Sequence, residues 1–405
     1  MKGNNNQLIK TANRYLIMDS LRLSDVVTMD EIVNKTKLSY PTVRNIMQEM
    51  VEEGLVLKAG QAESAGGRQP TLFSLNSGSY YAIGIDFAVP CIRIAVSNLM
   101  GKIIHSYVEY YHEDESDQDV MVYLTELCKR TIAGVGVPKD QYIGLGIGLP
   151  GIIDLRSNSS ILMERMSHGD VRINIAEELE KAIGIHVYIR NDVHLLGLVE
   201  KYLYVDKKEK NFIYIALRSG VGMAIFKNGK LLEGNMGNAG YIGHTMIDCN
   251  GRQCVCGKRG CLEIMVNSDY LIEEYNAIRR AKGLPQNMIE CKNWTYLEVF
   301  SKLAEKGDAA AAEVVRMAGR SLGYGVSNVI KMLDFSRVIF GGFPKESQDL
   351  LLESVEESIR ENIHRYIMTE VRIEKGKLDY NMAALGGCFL AIDNFFMGPK
   401  LKLTI

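Results

Sequence analysis

No apolar run in this 405-residue chain approaches the roughly 20 residues that cross a bilayer. The opening residues, MKGNNNQLIK, lack the apolar core of a secretory leader. Low-complexity tracts are missing too, and so is a dominant charge. The formal net charge is −2, and residues 1–78 carry nine Lys/Arg against eight Asp/Glu. Together these absences lead us to expect a cytoplasmic protein without a membrane partner. They also mean that any contact with DNA must come from a local patch, not from a global field.

Cysteine is scattered except in one stretch. Cys91, Cys128, Cys291 and Cys388 stand apart, mostly in apolar surroundings, and read as reduced core residues. Cys249, Cys254, Cys256 and Cys261 cluster. In a reducing compartment such a cluster points to metal before disulfide. The rest of the composition, 47% hydrophobic and 24% charged, is that of a globular chain with room for two or three domains.

The first 78 residues carry three helical patterns and a hairpin. Ile9, Ala12, Leu16 and Ile17 mark one helical face. "TMDE" is a capping box opening a second helix at Thr28. "SYPT" opens a third, with Ser39 as N-cap and Pro41 in the first turn; its apolar face is Val43, Ile46, Met47, Met50 and Val51, and Gly54 ends it. Strand, Gly-rich turn and strand follow through "LVLKAGQAESAGGRQPTLFSLN". This is the order of a winged helix-turn-helix, whose third helix enters the major groove of double-stranded DNA. Arg44, Asn45 and Gln48 can read base edges, Ser39, Tyr40 and Thr42 suit phosphates, and Arg68 at the wing tip suits the minor groove. The competing reading is a helical dimerisation module with a solvated outer face.

From Tyr80 onward the texture is α/β. "SNLMGKII" and "FKNGKLL" sit at matching places in two β-meanders, which suggests two related halves. Gly-rich loops follow strands at 144–151, 217–222 and 338–344, where backbone N–H groups can approach a phosphate or a sugar hydroxyl. At Asn191-Asp192 a strand meets an amphipathic helix; the pair is either a cap or an amide and a carboxylate offered to a polyol, with the carboxylate as a general base. In "GHTMIDCNGRQCVCGKRGCLE", His244, Cys254, Cys256 and Cys261 give one imidazole and three thiols, the donor set of a closed, structural zinc site; unmetallated buried thiols are the alternative.

With these segments in order, the chain resembles the ROK family of repressors, open reading frames and kinases. The segments are "GGRQPTLFSL", "GLPGIID", "NDVHLLGLVE", "NAGYIGHTMID", "CVCGKRGCLE", "IFGGF" and "ALGGCFLA". The resemblance implies a two-lobed, actin-like (ribonuclease H-like) sugar-kinase fold with a structural zinc loop. The expected domains are therefore 1–78, a winged helix-turn-helix; 79–190, a first lobe; and 191–405, a second lobe whose last helix packs back on the first. It also implies sugar contacts at Asn191, Asp192, His244 and Glu263, with Gly151 of the "LPG" turn beside them and Asp192 as the base in the kinases.

Three departures stand out. Asp86-Phe87-Ala88-Val89 replaces the kinases' Asp-Gly-Gly-Thr, and Leu217-Arg218-Ser219-Gly220 replaces Leu-Gly-Thr-Gly. Both changes argue against ATP binding. Tyr241 stands where the family has a sugar-binding Glu, which points to a pentose, an amino sugar or a sugar phosphate, or to a degenerate site. We therefore expect a non-enzymatic repressor of carbohydrate genes. It would bind an operator as a homodimer or homotetramer and respond to a sugar. The alternatives are an ATP-dependent sugar kinase with an appended DNA-binding domain and a DNA-bound regulator with a degenerate sugar site.

Overall fold

The computed structural model describes residues 2–397 except 23, 63–68, 89, 112–119, 163–170, 219, 288, 290–295 and 343–347. The chain divides into two compact units: residues 1–150, 158–189 and 384–405, and residues 151–157 and 190–383.

The first unit opens with α1 (Lys2–Arg22), β1 (Val27–Thr28), α2 (Met29–Thr36), α3 (Tyr40–Glu52), β2 (Val56–Gln61) and β3 (Thr71–Leu75). Thr28 and Glu31 form the reciprocal capping box of α2. Ser39 accepts the Thr42 N–H at the start of α3. Val43, Ile46, Met47 and Met50 are buried, and Gly54, with φ +75°, lets the chain turn out of α3. The strands form a sheet in the order β1-β3-β2.

On α1 the buried face matches the expected one only in part, at Ile17 and the half-buried Ala12. Ile17, Met18 and Leu21 are buried, whereas Ile9 and Leu16 are 54% and 50% exposed. Periodicity gives the pitch of an apolar stripe; the neighbours α2, α3 and α12 (Leu385–Met397) decide which stripe is covered.

Next come β4 (Tyr81–Ala88), β5 (Cys91–Asn98), β6 (Ile103–Tyr110), α4 (Val120–Val135) and β7 (Tyr142–Leu149). After β8 (Ile152–Asp154), which belongs to the second unit, follow β9 (Ser159–Leu162), β10 (Val171–Ile173), α5 (Ile175–Ile183) and β11 (Val187–Asn191). The main sheet runs β6-β5-β4-β7-β11, an antiparallel meander followed by β7 parallel to β4.

The second unit repeats that plan. It contains α6 (Asp192–Leu203), β12 (Phe212–Leu217), β13 (Val221–Lys227) and β14 (Lys230–Leu231). Then come α7 (Ser268–Ala281), α8 (Tyr296–Glu305), α9 (Ala309–Leu333), β15 (Arg337–Gly341), α10 (Asp349–Asn362), α11 (Arg365–Met368) and β16 (Arg372–Lys375). Its sheet runs β14-β13-β12-β15-β16, with the same meander and the same parallel partner for the central strand. Two sheets of one order from one chain fit the internal similarity of "SNLMGKII" and "FKNGKLL". The core of this unit is the buried face of β12, β13 and β15 against α9 and α10, from Ile213, Ile215 and Phe340 to Val314, Leu322 and Val355.

Candidate functional site

Asn191 ends β11 and caps α6, its Oδ1 accepting the Val193 N–H at 3.0 Å. Its Nδ2 donates to the Gly151 carbonyl at 3.4 Å. Asp192 is thereby fixed as the first residue of α6. The Tyr241 phenol also donates to the Gly151 carbonyl. Burial, and then the charges of Asp192 and Glu263, push that phenol above its usual pKa, so it stays a protonated donor. Tyr241 stacks at 6.1 Å between ring centroids on His244. Glu263 accepts the Val221 N–H at 3.1 Å, in the turn between β12 and β13. The six residues expected to meet a sugar thus lie around one place in the second unit.

Supporting contacts set the loops in position. His194, buried within α6, donates from Nε2 to the Ala239 carbonyl at 2.9 Å, two residues before Tyr241. Its burial pulls the imidazole pKa down to about 4, so it is neutral at pH 7. Asn238 exchanges two hydrogen bonds with the Ile153 backbone, at 2.7 and 3.0 Å, two residues after Gly151. Arg190 forks onto Glu233. None of His194, Asn238 and Arg190 was singled out from sequence; each is a buried or half-buried polar residue whose partner is 43 or more positions away.

The largest surprise is Arg218. Its Nη1 donates to Asp192 Oδ2 at 3.1 Å, and the two side chains are 11% and 16% exposed. From sequence Arg218 was only a lost glycine. In the structure it holds Asp192, the carboxylate that the resemblance makes the base in the kinases. The other kinase-like carboxylate is occupied in the same manner. Asp86, 1% exposed, faces Arg93 across the β4–β5 pair and takes its Nη1 at 3.4 Å. Phe87 is buried and packs at 6.3 Å on Tyr111, and Ala88 is still regular strand. Val89 and Ser219 lie outside the described residues.

The second cluster adjoins the first through His244. The donor atoms of His244, Cys254, Cys256 and Cys261 lie within 4.8 Å of one another. Cys254 Sγ is 3.7 Å from His244 Nδ1, and Cys256 Sγ is 3.6 Å from Cys261 Sγ. A tetrahedron with metal–sulfur bonds of about 2.3 Å has edges of about 3.8 Å, so these separations fit a four-coordinate ion. The loop is pre-formed by its backbone: Cys254 N–H bonds Lys258 O at 2.7 Å and Gly260 N–H bonds Arg252 O at 2.9 Å. Gly260, at φ +65°, has its Cα side so close to the Asp248 carbonyl that any Cβ would clash. Cys249 is exposed and outside the cluster.

In the N-terminal module, Ser39, Tyr40, Arg44, Asn45 and Gln48 are exposed and Thr42 is half-buried. The hydroxyls of Ser39 and Thr42 bond each other at 2.8 Å, so their first duty is the cap. Gln48 donates to Glu52 at 3.0 Å. Arg68 lies outside the described residues. No helix among the described residues is long and apolar enough to cross a membrane.

The chain is similar to known proteins over nearly its whole length. The chain is 26% identical over 98% of its length to the xylose repressor of Caldicellulosiruptor bescii, covering 99% of that protein. It is 24% identical over 94% of its length to the N-acetylglucosamine repressor of Escherichia coli O157:H7, covering 92% of it. Among solved structures, a ROK family transcriptional regulator described as a homologue of the E. coli MLC protein superposes with a TM-score of 0.81. It is 22% identical, and the match covers 96% of this chain and 97% of that one. The ROK family model matches residues 82–394, and the chain belongs to the ROK family.

Proposed function

We propose that the protein is a sugar-responsive transcriptional repressor. Residues 1–78 act as a winged helix-turn-helix on operator DNA. A sugar or sugar derivative binds at Asn191, Asp192, Tyr241, His244 and Glu263 beside Gly151. The observation that carries the DNA half of this reading is α3, which buries Val43, Ile46, Met47 and Met50 and turns Arg44, Asn45 and Gln48 outward. A homodimer or homotetramer presents two such helices to a two-fold site. Ligand and DNA are coupled by their different affinities for two states of the protein, typically by 1–3 kcal/mol. The names of the two repressor relatives support both the DNA and the carbohydrate side. In this reading the protein works in the cytoplasm.

A zinc ion held by His244, Cys254, Cys256 and Cys261 supplies structural cross-linking and no open coordination position. With Nδ1 turned to Cys254, the His244 ring presents its opposite edge away from the thiols. The ion therefore serves the sugar site by fixing that ring and, two residues beyond Cys261, Glu263.

The test of the DNA half is a gel-shift titration on the gene's own upstream region at several salt concentrations. A specific, salt-sensitive shift is expected. Arg44→Ala should weaken it by about 1–3 kcal/mol and relax base preference at one position of each half-site. Absence of any sequence preference in the unsubstituted protein defeats the reading.

The kinase reading retains one supporting observation, Asp192 at the strand-to-helix junction. Against it stand the ion pairs of Asp192 with Arg218 and of Asp86 with Arg93. We expect no ADP release above background with ATP and a panel of hexoses, pentoses and amino sugars. Turnover in the ordinary range, about 1 s⁻¹ or faster, would reverse this conclusion.

A further inference from the structure

We propose that Arg218 is a ligand contact that determines which sugar derivative this protein accepts. The inference rests on the reading that a polyol binds beside Asn191 and Asp192. It adds a residue that the family pattern, with glycine at this position, does not supply.

Three observations bear on it. The first is placement. Arg218 follows β12 directly, in the turn whose Arg218 N–H bonds the Gly220 carbonyl at 3.0 Å. Three residues on, Val221 N–H holds Glu263 at 3.1 Å. One short turn thus positions a guanidinium and a carboxylate on the same site.

The second is pairing. A guanidinium and a carboxylate 3.1 Å apart, each more than four-fifths buried, form an adjacent donor and acceptor. Two hydroxyls on neighbouring ring carbons also stand at about hydrogen-bond spacing, and each can donate and accept. One hydroxyl donates to Asp192 while an oxygen on the next carbon accepts from Arg218. The pair then reads relative configuration, because a hydroxyl pointing to the other face of the ring cannot reach it and the ligand loses a hydrogen bond to a charged group.

The third is charge. Tyr241 contributes a phenol where the resemblance has a carboxylate, and Arg218 contributes a cation where it has glycine. Both changes make the site less negative. The acceptor taken by Arg218 is therefore an oxygen of high electron density: a ring hydroxyl in a neutral sugar, or a phosphate or acetamido oxygen in a derivative.

The test is calorimetric titration of the full-length protein with D-xylose, D-glucose, N-acetyl-D-glucosamine and a hexose phosphate. The ligand that binds is then compared with its monodeoxy analogues. In the unsubstituted protein one analogue should bind about 10- to 100-fold more weakly than its parent, the loss of one hydrogen bond to a charged group. Arg218→Gln should weaken the parent by about the same factor and leave that analogue unchanged, so that discrimination disappears. Arg218→Lys, which keeps the charge without the planar fork, should recover part of it. Should the glutamine variant fail to fold, the lysine variant decides by the same comparison.

If the parent and every analogue weaken equally, Arg218 only positions Asp192 and the inference falls. It falls also if the glutamine variant binds the parent unchanged or more tightly. If the unsubstituted protein binds none of the four, the sugar-responsive reading falls with it.

Discussion

Replacing Cys261 by alanine is expected to take the metal content of the purified protein from one ion per chain to near zero and to lower its melting temperature sharply. Cys261 is buried at 1% exposure and is flanked by Leu262, which is fully buried in the core of the second unit. Its backbone bridges Met246, and Leu262 N–H bonds the Thr245 carbonyl at 2.9 Å. The loop is thus stitched to the fold at the point where the thiol enters the cluster. A zinc ion on four such ligands contributes on the order of 10 kcal/mol to ordering its loop, most of which a missing ligand forfeits. The same change should abolish the response to sugar, since Glu263 and His244 lose their common anchor.

Acid should mimic the substitution. Without a cation, burial and the neighbouring thiols push Cys261 up to about 12, so the thiol is protonated at neutral pH. Metal binding expels that proton, and the holo-form stability is therefore lost as pH falls and protons displace the ion. Mass-spectrometric metal analysis and thermal unfolding, with the exposed Cys249→Ala as a silent control, decide the matter. Stoichiometric metal and an unchanged melting point in Cys261→Ala would show that Cys261 neither holds an ion nor anchors the loop through one.

How far these features were legible in the sequence follows from the range over which each is decided. The capping box at Thr28, the Ser39 cap and the buried face of α3 depend on residues within one or two turns, and local pattern was enough. The four cysteine and histidine donors sit within 18 positions, and their chemistry announces itself. The doubled sheet was visible as two similar hairpins. What stayed hidden is set by partners far along the chain. Arg218 reads locally as a spoiled glycine loop; only the folded chain brings it to Asp192, 26 residues away. Tyr241 reads as a missing carboxylate; its bond to Gly151 spans 90 positions. The stripe of α1 is settled the same way: of the expected face Ile17 is fully buried, while contacts with α2, α3 and α12 shift the rest of the buried stripe to Met18 and Leu21.

The terminal helix makes this point with a sign that local rules get wrong. Alanine in place of a helical glycine ordinarily stabilises by about 1 kcal/mol. We expect Gly387→Ala to destabilise instead, and Gly387→Val to do so by several degrees in melting temperature. A Cβ at Gly387 would stand 2.2 Å from the Gly146 carbonyl oxygen and 2.7 Å from the Gly84 Cα. Both obstacles are backbone of β7 and β4, so no rotamer change relieves them, and α12 must withdraw from the sheet. Residues 384–405 follow the second unit in sequence yet cluster in the first, and this contact is the reason. The far end of α12 carries Asp393 and Phe396, which hold Arg22 at the end of α1 by a 2.7 Å ion pair and a ring 5.1 Å below the guanidinium. Withdrawal of α12 therefore also loosens α1, the first helix of the N-terminal module proposed to bind DNA. Gly387→Val should lose operator affinity as well as stability, and limited proteolysis should cut it more readily near residue 78. Arg22→Ala removes only the outer contact: it should keep the melting temperature within a few degrees while weakening the effect of sugar on operator binding. A Gly387→Ala protein more stable than its parent would show that α12 does not depend on this close approach, and the coupling argued from it would have to be abandoned.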